Sequence, residues 1–195
     1  MKSKEELRWI ELLRKPAKTE EERREKEEAG VAFSNQLKEE IKDLSNELIS
    51  QGSKFSDPWD MVNSKESYPE AIDILIAHLS KPYHDKNKEG IIRALTVKEA
   101  KGKASKALLE EYYAIPKEKQ ILRWTIGNAF TVIKMKDDVE IISSIVKDKT
   151  NGMSRQMFVV ALGKIKTEEA KTCLKYLLND EEMKQFAVKA LGTAH

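Results

Sequence analysis

The chain has 195 residues, of which 40% are hydrophobic, 35% are charged and only 7% are aromatic, and its formal net charge is +2. This composition favours helices with solvated faces over sheets and excludes wholesale disorder, while the single cysteine excludes a disulfide framework and a multi-cysteine zinc site. The three histidines lack metal-ligand spacing, and no apolar run suits a signal peptide or a membrane span, so we expect a cytoplasmic protein with no cofactor and no membrane partner.

Charge is distributed unevenly along the chain. Residues 1–67 carry 13 Lys or Arg and 16 Asp or Glu, a net charge of −3, whereas residues 68–195 carry the remaining 22 and 17, a net charge of +5. We predict an N-terminal helical cap and connector over residues 1–67 and a repeat domain over residues 68–195. A dedicated nucleic-acid-binding domain is usually more basic than either part.

Two capping signals open the N-terminal part. Ser3 with Glu6 predicts the start of a short apolar helix, which Pro16 is expected to end. Thr19 with Glu22 predicts a longer helix whose first turns are almost wholly charged. Its later apolar residues recur every three or four positions, at Phe33, Leu37, Ile41, Leu44 and Leu48, and Gly52 marks its predicted end.

This narrow apolar stripe has two interpretations. In the first, it caps the exposed end of the first repeat, because terminal repeats need a polar outer face. In the second, residues 33–48 form a coiled-coil arm that makes a dimer. The stripe lasts barely two heptads, which is short for a coiled coil, so we prefer the cap and expect a monomer.

A turn-rich connector follows, and it contains Trp59 between Asp57 and Asp60. These residues suit a ligand site or a tryptophan that anchors the connector on the core. The anchor is the preferred interpretation, because the apolar ring needs burial and its N–H needs only a nearby acceptor.

Four copies of a two-helix unit fill residues 68–195. The predicted first helices begin at Ala71, Ala104, Asp138 and Ala170. One aligned column contains Leu75, Leu108, Ile142 and Leu174, in steps of 33, 34 and 32 residues. A second column contains Ile74, Ala107, Ile141 and Cys173, and a third contains Leu79, Tyr112, Val146 and Leu178. These columns form one apolar helical stripe, so we expect all of them, including Cys173, to pack in the core.

The second helices align as well, beginning at Lys88, Lys119, Arg155 and Lys184. Their reference column contains Leu95, Ile126, Leu162 and Leu191, and glycine follows it at Gly127, Gly163 and Gly192. Glycine there indicates a helix end or close packing. Capping boxes are predicted between helices at Ser67 with Glu70, Thr96 with Glu99, and Asn179 with Glu182.

The endings RQMFVVALG (Arg155–Gly163) and KQFAVKALG (Lys184–Gly192) resemble the HEAT-like repeat family of the bacterial type. The first copy departs from this pattern with Thr96 in place of glycine, and the second copy has Thr125-Ile126 in place of Ala-Leu. The resemblance implies an all-α fold, a short right-handed α-α superhelix (an armadillo-like solenoid) of about four helix pairs. It also implies that the second helices line the concave side, and that the chain acts as a binding scaffold more often than as an enzyme.

Helical periodicity predicts which residues line that groove. Counting back from the reference column, positions −1, −4 and −5 should face the core, whereas positions −2, −6 and −9 share the opposite face. The candidate partner-binding residues are Glu89, Arg93, Gln120, Arg123, Trp124, Gln156, Gln185 and Lys189. An aromatic ring among long polar side chains is typical of a recognition surface, although Trp124 equally suits a place in the core.

Position −7 is basic in every copy, at Lys88, Lys119, Arg155 and Lys184. The column suggests a ladder of phosphate contacts, or cations that pair with acidic groups and helix ends of neighbouring repeats. We prefer the structural interpretation.

No catalytic motif is recognisable, so the leading hypothesis is a non-enzymatic scaffold that binds a protein. The first alternative is a DNA-binding or DNA-repair protein, supported by the basic repeats and by Arg93, Arg123, Arg155 and Lys189. Within that alternative, HEAT-like alkylpurine DNA glycosylases use an aromatic and acidic cleft, a role for which Trp124, Arg123, Arg93 and Glu89 are candidates. A weaker alternative is a protein similar to bilin lyases, which also carry short HEAT-like repeats.

Overall fold

The computed structural model describes residues 2–15 and 19–192, and over these residues the chain is helical and contains no strand. Its twelve α-helices are α1 (Lys4–Arg14), α2 (Glu20–Glu40), α3 (Lys42–Ser50), α4 (Pro58–Asn63), α5 (Ile72–Leu79), α6 (Asp85–Ala94), α7 (Ser105–Ala114), α8 (Gln120–Ile133), α9 (Val139–Lys147), α10 (Arg155–Gly163), α11 (Glu168–Leu177) and α12 (Lys184–Gly192). The prediction of an all-α fold is confirmed.

The chain forms two compact units, residues 1–43 and residues 44–195. In the first unit α1 packs on α2, and the rings of Trp9 and Phe33 lie 5.8 Å apart between centroids. Ser3 accepts a hydrogen bond from the backbone of Glu6, so the predicted start of α1 is confirmed. Thr19 makes the complete capping box that the sequence predicted. Helix α1 ends at Arg14, and Pro16, the expected stop, lies outside the described residues.

The long helix predicted after Thr19 is two helices. Ile41 has φ −97° and ψ 14°, outside the helical range, and separates α2 from α3. The apolar stripe is nevertheless buried on both sides of this break, with Phe33 6%, Ile41 2%, Leu44 0% and Leu48 0% exposed. Gly52 adopts φ 81° just beyond α3, where its N–H bonds the carbonyl of Ile49, so it ends this helical stretch as predicted.

Residues 44–67 belong to the second compact unit, whereas the sequence predicted them as part of the N-terminal cap and connector. Glu47 on α3 lies 2.9 Å from the ring of His78 on α5. Helix α4 packs on α6, where a Cβ placed on Gly90 would lie 2.8 Å from Nε1 of Trp59. Trp59 therefore anchors the connector, and its neighbour Asp57 accepts a hydrogen bond from the Trp59 backbone as the cap of α4.

The remaining eight helices form four packed pairs, each predicted from the sequence: α5 with α6, α7 with α8, α9 with α10, and α11 with α12. The second helices also pack on one another in the order α6, α8, α10, α12. Among the first helices α5 packs on α7, and α9 on α11. The packing therefore joins each pair to the next through its second helix.

The aligned columns are the core of these pairs. Leu75, Leu108, Ile142 and Leu174 are each at most 1% exposed, and the reference residues Leu95, Ile126 and Leu162 are completely buried. Ala107, Ile141 and Leu191 are only half-buried. The prediction that the third column is buried is confirmed in three copies. In the fourth copy it is wrong, because Leu177 is buried and Leu178 is only half-buried.

Two glycines after the reference column permit close contact between second helices. A Cβ on Gly163 would lie 2.6 Å from Cβ of Ala190, and one on Gly127 would lie 3.0 Å from the ring of Phe158. Gly127 lies in the middle of α8 and ends no helix, so close packing is the correct one of the two predicted reasons at this position.

The capping boxes predicted at Ser67 and Thr96 do not form. Ser67 donates its hydroxyl hydrogen bond to the carboxylate of Glu99, and Thr96 donates to the carbonyl of Ile92, 3.0 Å away. Short 3-10 turns without side-chain caps follow both residues, so each hydroxyl bonds a group outside the turn that it was expected to cap.

Candidate partner-binding face

The exposed side of the second helices follows the predicted periodicity. At positions −1 and −4 all eight residues are buried: Ala94, Thr125, Ala161 and Ala190, and Ile91, Leu122, Phe158 and Ala187. At position −2 all four are at least partly exposed: Arg93, Trp124, Val160 and Lys189. Position −5 was predicted to face the core, which is wrong for Ile121, since it is 68% exposed. We call the surface formed by positions −2, −6 and −9 the second-helix face.

Trp124 lies at the middle of this face and is half-buried. It therefore has an accessible part of its indole and is not a residue of the closed core. Asn128 and Val132 follow it at one-turn intervals along α8 and are also half-buried. Together they make a stripe on α8 that changes from aromatic to amide to aliphatic.

Glu89 and Arg93, two predicted groove residues on α6, bind each other. The Glu89 oxygen Oε1 accepts from Nε and Nη2 of Arg93 at 2.9 Å and 2.8 Å. Because this fork contact holds the guanidinium in one orientation, Arg93 keeps only Nη1 outside the pair. Lys86 at position −9 lies 3.5 Å from the other oxygen of Glu89, so two cations share this carboxylate.

Arg123 does not belong to the second-helix face, which corrects the sequence prediction. Its side chain is 1% exposed; its Cζ lies 4.0 Å from the centroid of the Tyr112 ring, and Nη2 donates to Oδ1 of Asn151 at 2.9 Å. Its Nε and Nη1 have no hydrogen-bond partner among the described residues. Although Arg123 precedes Trp124 directly, successive residues of a helix point about 100° apart. That rotation turns Arg123 inward while Trp124 faces outward.

The residues that align with Arg123 in the neighbouring repeats would have predicted its burial. It occupies position −3, where the neighbouring copies have Ile92 and Val159, both completely buried. The prediction placed Arg123 in the groove because it is the neighbour of Trp124 in the sequence, yet charged residues that are buried usually have an ionic partner. Here the aromatic face of Tyr112 takes the place of that partner.

Gln120 is half-buried at the surface, and both ends of its amide bond groups within the chain. Its Oε1 accepts from the backbone N–H of Ser154 at 3.0 Å, and its Nε2 donates to the carbonyl of Lys117 at 2.5 Å. The bond to Ser154 joins α8 to the turn before α10, whereas the bond to Lys117 is local to the start of α8. In that turn Gly152 has φ 56°, and a Cβ there would lie 3.0 Å from Oε1 of Gln120.

The buried polar groups around this turn form one network between the second and third helix pairs. The hydroxyl of Tyr112 lies 3.0 Å from the Ser154 hydroxyl, and Nδ2 of Asn151 donates to the carbonyl of Ile145 at 3.0 Å. Burial raises the pKa of Tyr112 above its ordinary value, more than the Ser154 hydrogen bond lowers it. The phenol therefore remains neutral through the physiological range.

The other predicted groove residues lie on the second-helix face. Gln156 is half-buried, whereas Gln185 and Lys189 are exposed. With Trp124, Val160 and the Glu89–Arg93 pair, they give a surface of mixed polarity. Seven of the eight candidate residues thus remain at the surface, with the Gln120 amide bonded within the chain, and Arg123 alone among the eight is buried.

In three of the four copies the basic residue at position −7 binds an acidic group of a neighbouring helix pair, as the preferred structural interpretation predicts. Lys88 binds the carboxylate of Glu111 in the next pair, and Lys119 binds Asp85 of the preceding pair at 2.7 Å. Arg155 is completely buried and binds Asp180 at 2.7 Å, the carbonyl of Val146 at 3.2 Å and the carboxylate of Glu182. Lys184 is exposed.

The capping box predicted at Asn179 is wrong, because the next residue, Asp180, is the cap. Its Oδ1 accepts from the backbone N–H groups of Glu182 and Met183 at 3.1 Å and 3.3 Å. Burial acts to raise the pKa of Asp180, but the hydrogen bond and charge of Arg155 outweigh it and hold that pKa below its ordinary value. The carboxylate therefore stays charged opposite a buried guanidinium.

A cleft of about 470 Å³ adjoins the face beside Arg93. It is formed by the end of α4 and the following loop, the end of α6, the loop before α7, and α8. Its lining comprises Met61, Val62, Ser64, Lys65, Glu66, Ser67, Tyr68, Arg93, Thr96, Val97, Lys98, Glu99, Asn128 and Val132. We call it the Arg93 cleft. The sequence does not predict this cleft, because two irregular loops supply most of its wall.

The described residues contain no group of His, Cys, Asp and Glu side chains that suits a metal ion. Cys173 is 3% exposed and packs in its predicted core column. Across residues 2–15 and 19–192, none of the helices combines the length and apolar character needed to cross a bilayer.

Comparison with known proteins gave no match to a protein-family model, to a curated protein or to a solved structure.

Proposed function

We propose that the chain is a HEAT-like solenoid that binds a protein partner through the second-helix face and acts as a non-enzymatic scaffold. In this proposal the second helices line the concave side of a right-handed superhelix. Supporting it are the four helix pairs and the continuous packing of α6, α8, α10 and α12. The observation that carries the proposal is the half-buried Trp124 at the centre of a face of mixed polarity.

The chemistry of the face suits a protein surface. A partly exposed tryptophan supplies a large apolar contact area, and tryptophan is enriched among residues that dominate binding energy at interfaces. Around it lie the Glu89–Arg93 pair, the amide of Gln156, and Lys189. Charges of both signs and neutral amides favour a partner of mixed polarity over a uniformly anionic one.

The DNA-binding alternative loses support from the positions of its cations. Of the four residues that favoured it, Arg123 lies under Tyr112 and Arg155 is buried between acidic groups. Phosphate binding depends on accessible Lys and Arg side chains, so neither residue can supply the expected contacts. The glycosylase-like cleft loses Arg123 for the same reason.

A pull-down from the cytoplasm of the cells that make the protein tests the proposal. Immobilised wild-type chain is compared with Trp124→Ala and with Tyr176→Ala, which removes an aromatic ring that is 58% exposed on the first-helix layer. We expect one protein to be retained by wild type and by Tyr176→Ala, and to be depleted on Trp124→Ala. Equal retention by all three would contradict the proposed face.

A further inference from the structure

We infer that the Arg93 cleft binds an acidic peptide segment, with a carboxylate on its cationic rim and an adjacent aliphatic side chain on its floor. This inference rests on the proposed function and specifies which part of a protein partner the chain recognises. It does not depend on Trp124, which lies outside the cleft lining.

The floor of the cleft is apolar. Val62, Val97 and Val132 contribute half-buried side chains, and Met61 closes the bottom at 1% exposure. A volume of about 470 Å³ is within the range of ligand-binding pockets. The floor therefore offers an aliphatic side chain a place out of water.

Acceptor groups around the rim are already used inside the protein. The carboxylate of Glu66 accepts from Lys54 at 2.9 Å, and that of Glu99 accepts from Ser67. The Ser67 hydrogen bond is the main reason that the pKa of Glu99 is lowered, so Glu99 is present as the anion. Neither carboxylate needs a ligand to satisfy it.

The hydroxyl groups of the wall are likewise engaged in hydrogen bonds within the chain, as donors at Tyr68 and Thr96 and as an acceptor at Ser64. Tyr68 donates to the carbonyl of Ala94 at 3.0 Å, and Thr96 donates to that of Ile92 at 3.0 Å. Ser64 accepts from the backbone of Glu66 at 2.9 Å. The wall therefore keeps its polar groups satisfied without a bound molecule.

What remains is a set of donors. The side chains of Lys65 and Lys98 make no hydrogen bond or ion pair with any described residue, and both residues are exposed. Lys98 acts on its neighbour Glu99 through its charge, which helps to lower the pKa of that carboxyl. The amide of Asn128 has no side-chain hydrogen bond among the same residues, and Arg93 retains Nη1 outside its pair with Glu89. Two unpaired lysine side chains, the free Nη1 of Arg93 and one amide thus border the apolar floor, beside the already bonded carboxylates of Glu66 and Glu99. The complementary ligand presents anionic oxygens next to an apolar group.

An acidic residue beside an aliphatic one in a peptide has both features. A simple phosphate would satisfy the cations and leave the floor empty, whereas a neutral apolar side chain would fill the floor and leave the cations unused. The peptide uses both, and its backbone carbonyls match the Asn128 amide as acceptors.

A titration of the purified full-length chain with N-acetyl-leucyl-glutamate, followed by ¹H–¹⁵N NMR, tests this inference. We expect saturable shifts in the millimolar range at Val62, Val97 and the side-chain amide of Asn128, since a small ligand has little surface to bury. N-acetyl-leucyl-glutamine removes the charge, and N-acetyl-glycyl-glutamate removes the aliphatic group. Each is expected to bind more weakly than N-acetyl-leucyl-glutamate.

Two charge-reversal variants sharpen the test. Lys98→Glu should weaken the binding of N-acetyl-leucyl-glutamate by about threefold or more, the modest change expected for an exposed charge pair. Lys106→Glu reverses a lysine whose side chain is 88% exposed outside the cleft, and should leave binding unchanged. Equal binding of the glutamate and glutamine ligands, or shifts from inorganic phosphate that match those from the peptide, would overturn the inference.

The titration needs no identified partner, so the two proposals can fail separately. Absence of cleft shifts, with partner retention still dependent on Trp124, overturns this inference alone. Cleft shifts that depend on Lys98, with partner retention unaffected by Trp124→Ala, contradict the second-helix face instead.

Discussion

The guanidinium of Arg123 lies over the ring of Tyr112, with 4.0 Å between Cζ and the ring centroid, and both side chains are at most 1% exposed. Among the described residues no carboxylate forms a hydrogen bond with this guanidinium. Its one hydrogen-bond partner there is the side chain of Asn151. A buried cation is thus stabilised mainly by an aromatic face and a neutral amide.

Replacement of Arg123 tests this arrangement. Arg123→Ala leaves a cavity under Tyr112 and removes the hydrogen bond to Asn151, so we expect a loss of about 3 kcal/mol in the free energy of unfolding. Arg123→Met fills the same space without a buried charge, and should stay within about 1 kcal/mol of wild type. Urea unfolding measures both values. An Arg123→Ala protein as stable as wild type would show that the side chain is not buried.

Leu162 tests the reference column. It is completely buried on α10, so Leu162→Ala should lower the free energy of unfolding by about 2–5 kcal/mol. Ile121→Ala is the matched control, because Ile121 is 68% exposed on a second helix and should change stability by less than about 0.5 kcal/mol. Equal effects of the two substitutions would mean that the proposed register is wrong.

The Arg155–Asp180 pair predicts a pH-dependent contribution to stability. The folded-state pKa of Asp180 is lowered, so its contribution is fully present above the unfolded-state pKa, about 3.9, and is lost as the pH falls through the folded value. Asp180→Asn should therefore cost about 2 kcal/mol at neutral pH, because the buried Arg155 then keeps only Glu182 as an ionic partner.

The cost of Asp180→Asn should shrink as the solution is acidified below about pH 4. Urea unfolding of wild type and Asp180→Asn at a series of pH values measures this difference. A cost that stays constant through the acidic range would argue against a charged Asp180 in the folded protein.

Two N-terminal deletions test which residues cover the first helix pair. Removing residues 1–52 deletes Leu44, Leu48 and the Glu47 contact to His78, and should cause aggregation because buried surface of α5 becomes exposed. Removing residues 1–43 retains all three residues and serves as the control. Size-exclusion chromatography compares the two proteins. A monomeric, stable chain lacking residues 1–52 would contradict the covering role of α3.

Much of the fold could be predicted because each repeat restates the same apolar pattern. Alignment placed all eight paired helices, and the reference column located Ile126 and Leu162 in the core. The break at Ile41 could not be predicted, because no proline or glycine marks it. Caps at Ser67 and Thr96 failed because their hydroxyl groups had other acceptors within reach only after folding.

The candidate site was predicted less well. Periodicity placed Arg93 on the face opposite the core, since helix geometry decides which residues share a face, and it left Trp124 open between that face and the core. It could not show that Gln120 bonds Ser154 or that Arg93 binds Glu89, because both depend on side-chain contacts. The Arg93 cleft depends on the path of two loops, for which the sequence has no periodic signal.

Isothermal titration calorimetry of the retained protein partner with Trp124→Ala shows whether Trp124 anchors that partner. We expect a loss of more than about 1 kcal/mol in binding free energy, as for an interface anchor, with an unfolding midpoint close to wild type. Tyr176→Ala should bind as wild type does. Unchanged affinity of a folded Trp124→Ala protein, or loss of folding on this substitution, would show that Trp124 is not a surface anchor for the partner.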